Sequence, residues 1–226
     1  MSNRVIEILV TSFPKILIPG LIYTIPLTLI SFAIGLVLAI IVALLRVKSN
    51  KVVQGICWFY VWVFRGTPQL VQLFIIFYGL PSIGIRWNAL LCAVIAFSLN
   101  VGAYASETIR GAILAVPKGQ TEAAYACGLT YSQTMFHVVL PQAMKASIPA
   151  LSNTFISLVK DTSLASNITV TEMFMVTIRL VAVTYEPLLL YLEVAFIYLI
   201  FCTILTWLQG KLEKKLAVGT VKEAGA

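Results

Sequence analysis

The chain has 226 residues, of which 60% are hydrophobic and 11% charged, with a net charge of +7 and a mean hydropathy of +0.96. Soluble domains carry about 25% charged residues, so this composition excludes an ordinary soluble enzyme or binding module and describes a polytopic membrane protein. The basic residues stand between apolar segments rather than along one face, which reads as membrane topology and not as a nucleic-acid surface.

A helix crossing about 30 Å of hydrocarbon needs roughly 20 apolar residues. Ile16 to Leu45 carries no charge, and a break at Pro19 and Gly20 is expected to leave an interfacial lead-in over 2–18 and a first span over about 20–46. The second span runs from Val52 to Leu80, interrupted by Arg65-Gly66-Thr67-Pro68. Trp87 to Ser106 is the third uncharged stretch. Ile148 to Val159 continues past Lys160-Asp161 into a further apolar run as the fourth, and Pro187 to Gly210, with Glu193 its only charge, is the fifth. The expectation is an all-α membrane protein of about five transmembrane helices in one domain, residues 1–226.

Lysine and arginine placement orients it. With the N-terminus outside, the cytoplasmic segments hold ten cations (Arg46, Lys48, Lys51, Arg110, Lys118, Lys145, Lys211, Lys214, Lys215, Lys222) against four outside (Arg4, Lys15, Arg86, Arg179). The N-terminus does not show a short charged region, brief apolar core and small-residue cleavage site in the usual order, so no cleaved signal peptide is expected. Cys57, Cys92, Cys127 and Cys202 are scattered without metal or disulfide spacing. His137 is the only histidine, so no metal centre is expected, and no GxxxxGK[ST] phosphate loop occurs, so any ATP chemistry belongs to a partner.

The third and fourth spans are separated by a polar loop of about 35 residues, 110–145. Within it Glu122-Ala123-Ala124 precedes Gly128, Val138, Leu140 and Pro141 in the spacing E-A-A-x(3)-G-x(9)-I-x-L-P, with valine for isoleucine. The two alanines allow close approach of another protein, the glycine allows a sharp turn, and Pro141 limits where the second helix can continue. A plain surface helix and turn would also hold an isolated EAA, but not the whole spacing on a positive-inside loop. The segment resembles the cytoplasmic coupling loop of permease subunits of bacterial ABC importers.

Arg65-Gly66-Thr67-Pro68-Gln69-Leu70-Val71-Gln72 and Lys160-Asp161-Thr162-Ser163-Leu164 are similar to motifs of the polar amino acid permeases, the group serving histidine, glutamine, arginine and cystine. Asn100 with Ala103 to Gly111 extends the likeness, which covers about residues 20–210. The resemblance implies the type I ABC importer permease fold in the bacterial cytoplasmic membrane. It also implies a second permease subunit, identical or related, two ATPase subunits carrying ATP and Mg, and an external solute-binding protein. No cofactor is expected in this chain.

Charges within a bilayer cost at least about 2.5–3.5 kcal/mol each on insertion scales, so Arg65, Lys160 and Asp161 need partners or a wet cavity. Two readings stand: a structural pairing of Asp161 with Lys160 or Arg65, or a cavity in which Asp161 and Asn100 meet the solute's ammonium group. Asn153, Thr154 and Ser157, one to two turns before Asp161, join the second reading. No other carboxylate lies in this stretch, which favours a neutral or weakly charged polar amino acid. Gly66 and Pro68 bend the second span, with Arg65 or Thr67 covering the freed backbone groups; the bend is a gate hinge or a static kink. The competing functional class is an ion-driven secondary transporter or channel, which would show inverted repeats over more spans. A passive scaffold would need none of the intramembrane charges.

Overall fold

A computed structural model describes residues 2–223, with side chains described for residues 4–215. Lys222, one of the ten cations, lies outside the described side chains. Among the described residues all regular structure is helical.

α1 (Ser2–Pro19) passes through a widened turn (Gly20–Thr24) into α2 (Ile25–Val47), so that Arg4–Val47 is one apolar helix of 44 residues. The break expected at Pro19 and Gly20 does not occur. The Ile25 N–H bonds the Gly20 carbonyl, five residues back. The extra residue in that turn makes room for Pro26, whose ring would otherwise press on the preceding turn and which has no N–H to donate. The same device stands at Ile75–Gly79 before Pro81 and at Met135–Val139 before Pro141, closed by the Leu80 and Leu140 N–H groups. Pro141 therefore lies within a continuous helical stretch, Tyr131–Ile168, and does not limit it.

The second expected span is two pieces. α3 (Lys51–Gly66), capped by the Asn50 side chain at 2.9 Å from the Val53 nitrogen, ends at extended Thr67 and Pro68. α4 (Gln69–Phe74) then opens a second apolar stretch ending at Ile83. α5 (Ala89–Ala115), capped by Asn88 at 2.8 Å from the Leu91 nitrogen, stays helical five residues beyond Arg110, where the loop was expected to begin. The reason is local: Glu107 accepts from Arg110 one turn on, at 2.9 and 3.3 Å, and pairs with Arg46 of α2.

α6 (Lys118–Ala126) and α7 (Tyr131–Thr134) follow, then α8 (Leu140–Asp161), a 3-10 segment (Thr162–Ile168), α9 (Met173–Thr184) and α10 (Pro187–Glu223). Among the described residues three helices are long and apolar enough to cross a bilayer, and a fourth crossing results if Tyr131–Ile168 and α9, bent by 53°, count as one. The remaining expected span is the broken α3–α4 pair.

Small residues set the packing, as expected where apolar burial alone does not draw helices together. A Cβ on Gly35 of α2 would stand 2.7 Å from the Val101 side chain of α5, and one on Gly102 2.8 Å from Leu38. Ala39, Ala43, Ala93, Ala96 and Ala105 complete this buried seam, onto which α8 packs through Ala143, Leu151 and Leu158. A separate cluster of Ile16, Met173, Val194 and Ile197 joins α1, α9 and α10. Two carboxyls lie beside it: Glu172 caps α9 at 2.7 and 2.8 Å and accepts from Tyr198 at 3.1 Å, and Glu193 Oε2 accepts from Ser12 while Oε1 has no partner among the described residues. Outward faces carry large apolar side chains such as Val37, Phe196 and Leu199, each more than half exposed, as a lipid- or subunit-covered surface requires.

Candidate functional site: a polar cavity and an exposed helical hairpin

On α8, positions 153, 154, 157, 158 and 161 recur at helical spacing and share one face. α5 brings Asn100, Val101 and Tyr104 opposite them, and the α3–α4 break closes the side with Thr67, Pro68 and Gln69. Together these residues line a cavity of about 460 Å³. All five residues expected to meet the solute (Asn100, Asn153, Thr154, Ser157 and Asp161) stand in it. The volume falls within the roughly 300–1,000 Å³ of small-molecule sites.

Asp161 is the only charged residue in the lining. Neither structural pairing forms: among the described residues the ion pairs are Arg4–Glu186, Arg46–Glu107 and Arg110–Glu107, none of them reaching Asp161. Lys160 turns to the other side of the helix, into a groove with Phe174, Tyr191 and Tyr198. Arg65 stands over the Tyr104 ring, 5.3 Å from its centre. A partly buried carboxylate with no cation within ion-pair distance among the described residues offers acceptor oxygens to whatever enters the cavity.

The break in the second span is covered by Thr67, as expected of it or of Arg65: Thr67 Oγ1 donates to the Val63 carbonyl at 2.8 Å, and Arg65 stands over the Tyr104 ring. Gln72, one turn into the next helix, covers two more carbonyls, with Nε2 2.9 Å from that of Phe64 and 3.1 Å from that of Thr67. Gly66 has open space where a Cβ would stand, so it serves no close packing.

The loop residues form a helical hairpin. Glu122, Ala123 and Ala124 lie on α6, with Glu122 and Ala123 exposed and Ala124 buried against the hairpin itself. Gly128 takes φ +81°, a left-handed turn that disfavours any side chain. Thr130 and Gln133 form a reciprocal cap that starts α7. Leu140 is half-buried and Pro141 exposed at the foot of α8. Lys48, just beyond α2, lies 3.7 Å from the centre of the Tyr131 ring, and Gln142 Nε2 reaches Gln120 at 3.5 Å. Tyr125 and Phe136 remain about half exposed on this hairpin.

Four cavity residues, Gln69, Val101, Tyr104 and Leu158, and the brace Gln72 were not assigned to the solute site from the sequence, although Gln69, Gln72 and Tyr104 lie in the stretches that carry the family resemblance. Tyr104 has a further signal, four residues after Asn100 on one helix face. Gln69 and Gln72 have only their motif, because the break that turns them inward has no periodicity.

Residues 35–218 match the family model described as binding-protein-dependent transport system inner membrane component. The L-cystine transport system permease protein TcyB of Bacillus subtilis (strain 168) is 52% identical over 206 residues, covering 91% of this chain and 88% of that one. A chain in the crystal structure of an amino acid ABC transporter with histidines superposes with a TM-score of 0.85 at 34% identity, covering 91% of this chain and 96% of that one. A chain of the inward-facing MetNI methionine ABC transporter shares the fold, with a TM-score of 0.76 at 20% identity over 89% of this chain and 96% of that one.

Proposed function

The chain belongs to the binding-protein-dependent transport system inner membrane component family, and from that premise we propose that it forms the membrane pathway of an ATP-driven importer of polar amino acids. The observation that carries this reading is the cavity, in which the unpaired Asp161 carboxylate and the amide of Asn100 face one another's helix across a space of about 460 Å³. An α-ammonium group supplies the donors those oxygens lack. With a single carboxylate in the lining, a neutral amino acid matches better than a doubly cationic one. L-cystine, the solute of the Bacillus subtilis relative, is the first to test.

The N-terminus lies outside and the C-terminus in the cytoplasm of the bacterial inner membrane, which puts the α6–α7 hairpin on the cytoplasmic side. There Glu122, Ala123 and the Gly128 turn form the docking face for an ATPase subunit, with Ala124 packed beneath them and Leu140 and Pro141 at the foot of the hairpin. Two such ATPases hold ATP and Mg²⁺; a second permease subunit and an external solute-binding protein complete the importer. Closure of the ATPases moves the hairpins, and the α3–α4 break at residues 65–68 lets the cavity open to one side or the other.

The test is reconstitution of the chain with the ATPase and binding protein encoded beside it, in liposomes, with the common amino acids and L-cystine as solutes. The expected result is uptake of a polar amino acid that requires both ATP and the binding protein. Uptake by the chain alone under an ion gradient would overturn the proposal in favour of a secondary transporter.

A further inference from the structure

Gln72 is a buried glutamine, 6% exposed, on the wall between the α3–α4 break and the cavity. Its side-chain orientation follows from its partners. Nε2 lies 2.9 Å from the Phe64 carbonyl, 3.1 Å from the Thr67 carbonyl and 2.9 Å from Thr67 Oγ1. Backbone carbonyls only accept, so the nitrogen must face them and Oε1 must face away. Oε1 in turn meets the amide of Asn100, with Nδ2 at 3.1 Å. An oxygen there requires a donor, so Asn100 turns its nitrogen to Gln72. Its own Oδ1, which takes no protein donor among the described residues, is left for the cavity.

We propose that Gln72 is a positioning residue for the solute: anchored on the carbonyls freed at the α3–α4 break, it fixes the Asn100 amide so that Oδ1 and the Asp161 carboxylate form one acceptor site for an ammonium group. This rests on the reading of the cavity as the amino acid site. A freely rotating asparagine would present nitrogen to the solute part of the time, and that nitrogen would repel an ammonium group. The same brace links the break to the site, because straightening the break would remove the carbonyls that hold Gln72 and so release Asn100.

The test uses the full complex with its ATPase subunits, purified without the binding protein. Its probe is the best-transported solute from a panel of the twenty common amino acids and L-cystine. Equilibrium binding is measured for the wild type, Gln72→Met, Asn100→Ala, the double variant and Asp161→Asn, with thermal unfolding recorded for each. Gln72→Met is expected to weaken binding about tenfold in the wild-type background and to change nothing further once Asn100 is alanine, the coupling expected of a residue that acts through another. Gln72→Glu keeps the size of the side chain but cannot donate to either carbonyl, and should give the same pattern.

Equal weakening in both backgrounds, no weakening in either, or failure of both Gln72 variants to assemble would overturn the positioning role. The two readings separate cleanly. Unchanged binding in Asp161→Asn, or no transported solute in the panel, defeats the amino acid cavity itself. Lost binding in Asp161→Asn with background-independent effects at Gln72 defeats only the role of Gln72.

Discussion

In the cavity, polar side chains are gathered on the facing sides of α5 and α8, which pack through Ala143, Leu151 and Leu158, while Gly35, Gly102 and the alanine seam hold α2 close behind α5. In the α6–α7 hairpin, the notable side chains point outward, and the shape depends on one left-handed glycine, a capping box and a lysine over a tyrosine ring. The cavity is defined by what it encloses and the hairpin by what it presents. On the proposed function, the difference assigns recognition and energy input to separate parts of one chain, each open to damage by a different kind of substitution.

Substitutions at four positions break or sharpen that contrast. The largest effect is expected at Asp161: Asp161→Asn removes the cavity's only charge and should lower uptake about 100-fold, the equivalent of roughly 2.7 kcal/mol. Assembly with the ATPase, followed by co-purification, should be unchanged. Next, Gly128→Val forces a β-branched residue to φ +81°, a strain of at least about 1–3 kcal/mol, and uptake should fall about tenfold. Gly128→Asn should recover most of it, because asparagine tolerates this region, and the pair of uptake rates checks the backbone argument.

A smaller effect is expected in the frame between the two regions. Gly35→Leu must displace Val101 and press on the Ser98 carbonyl, 3.0 Å from even a Cβ. Overpacking of this kind costs about 1–3 kcal/mol and should appear as a lowered unfolding temperature of the purified complex. The smallest effect is expected at Gln142→Ala: its contact to Gln120 is long, at 3.5 Å, and exposed, so uptake should stay within about twofold of wild type.

Much of this was legible in the sequence, for physical reasons that vary by residue. Asn153, Thr154, Ser157 and Asp161 could be grouped because helical spacing alone puts them on one face, and charge in an apolar run is conspicuous. Gly128 could be assigned its turn because few other residues accept one. Two prolines misled: Pro19 and Pro141 read as breaks, but the helix runs on past Pro19, and a turn widened by one residue accommodates Pro141 inside a helix, which no local pattern announces. Arg110 read as the start of a loop because it is charged, whereas Glu107 and Arg46 complete its surroundings from within the turn and across the helix pair. The role of Gln72 was hidden for a similar reason, since its partners Phe64, Thr67 and Asn100 come from α3, the break after it and α5, which meet only in the folded chain.

The central claim is that the cavity selects the solute and the hairpin delivers the work of ATP. The most direct test measures uptake and binding-protein-stimulated ATP hydrolysis in the same proteoliposomes for Asp161→Asn and Gly128→Val side by side. The account predicts that Asp161→Asn loses uptake while stimulated hydrolysis persists, and that Gly128→Val loses both together. Normal uptake in Asp161→Asn, or full stimulated hydrolysis and uptake in Gly128→Val, would contradict it.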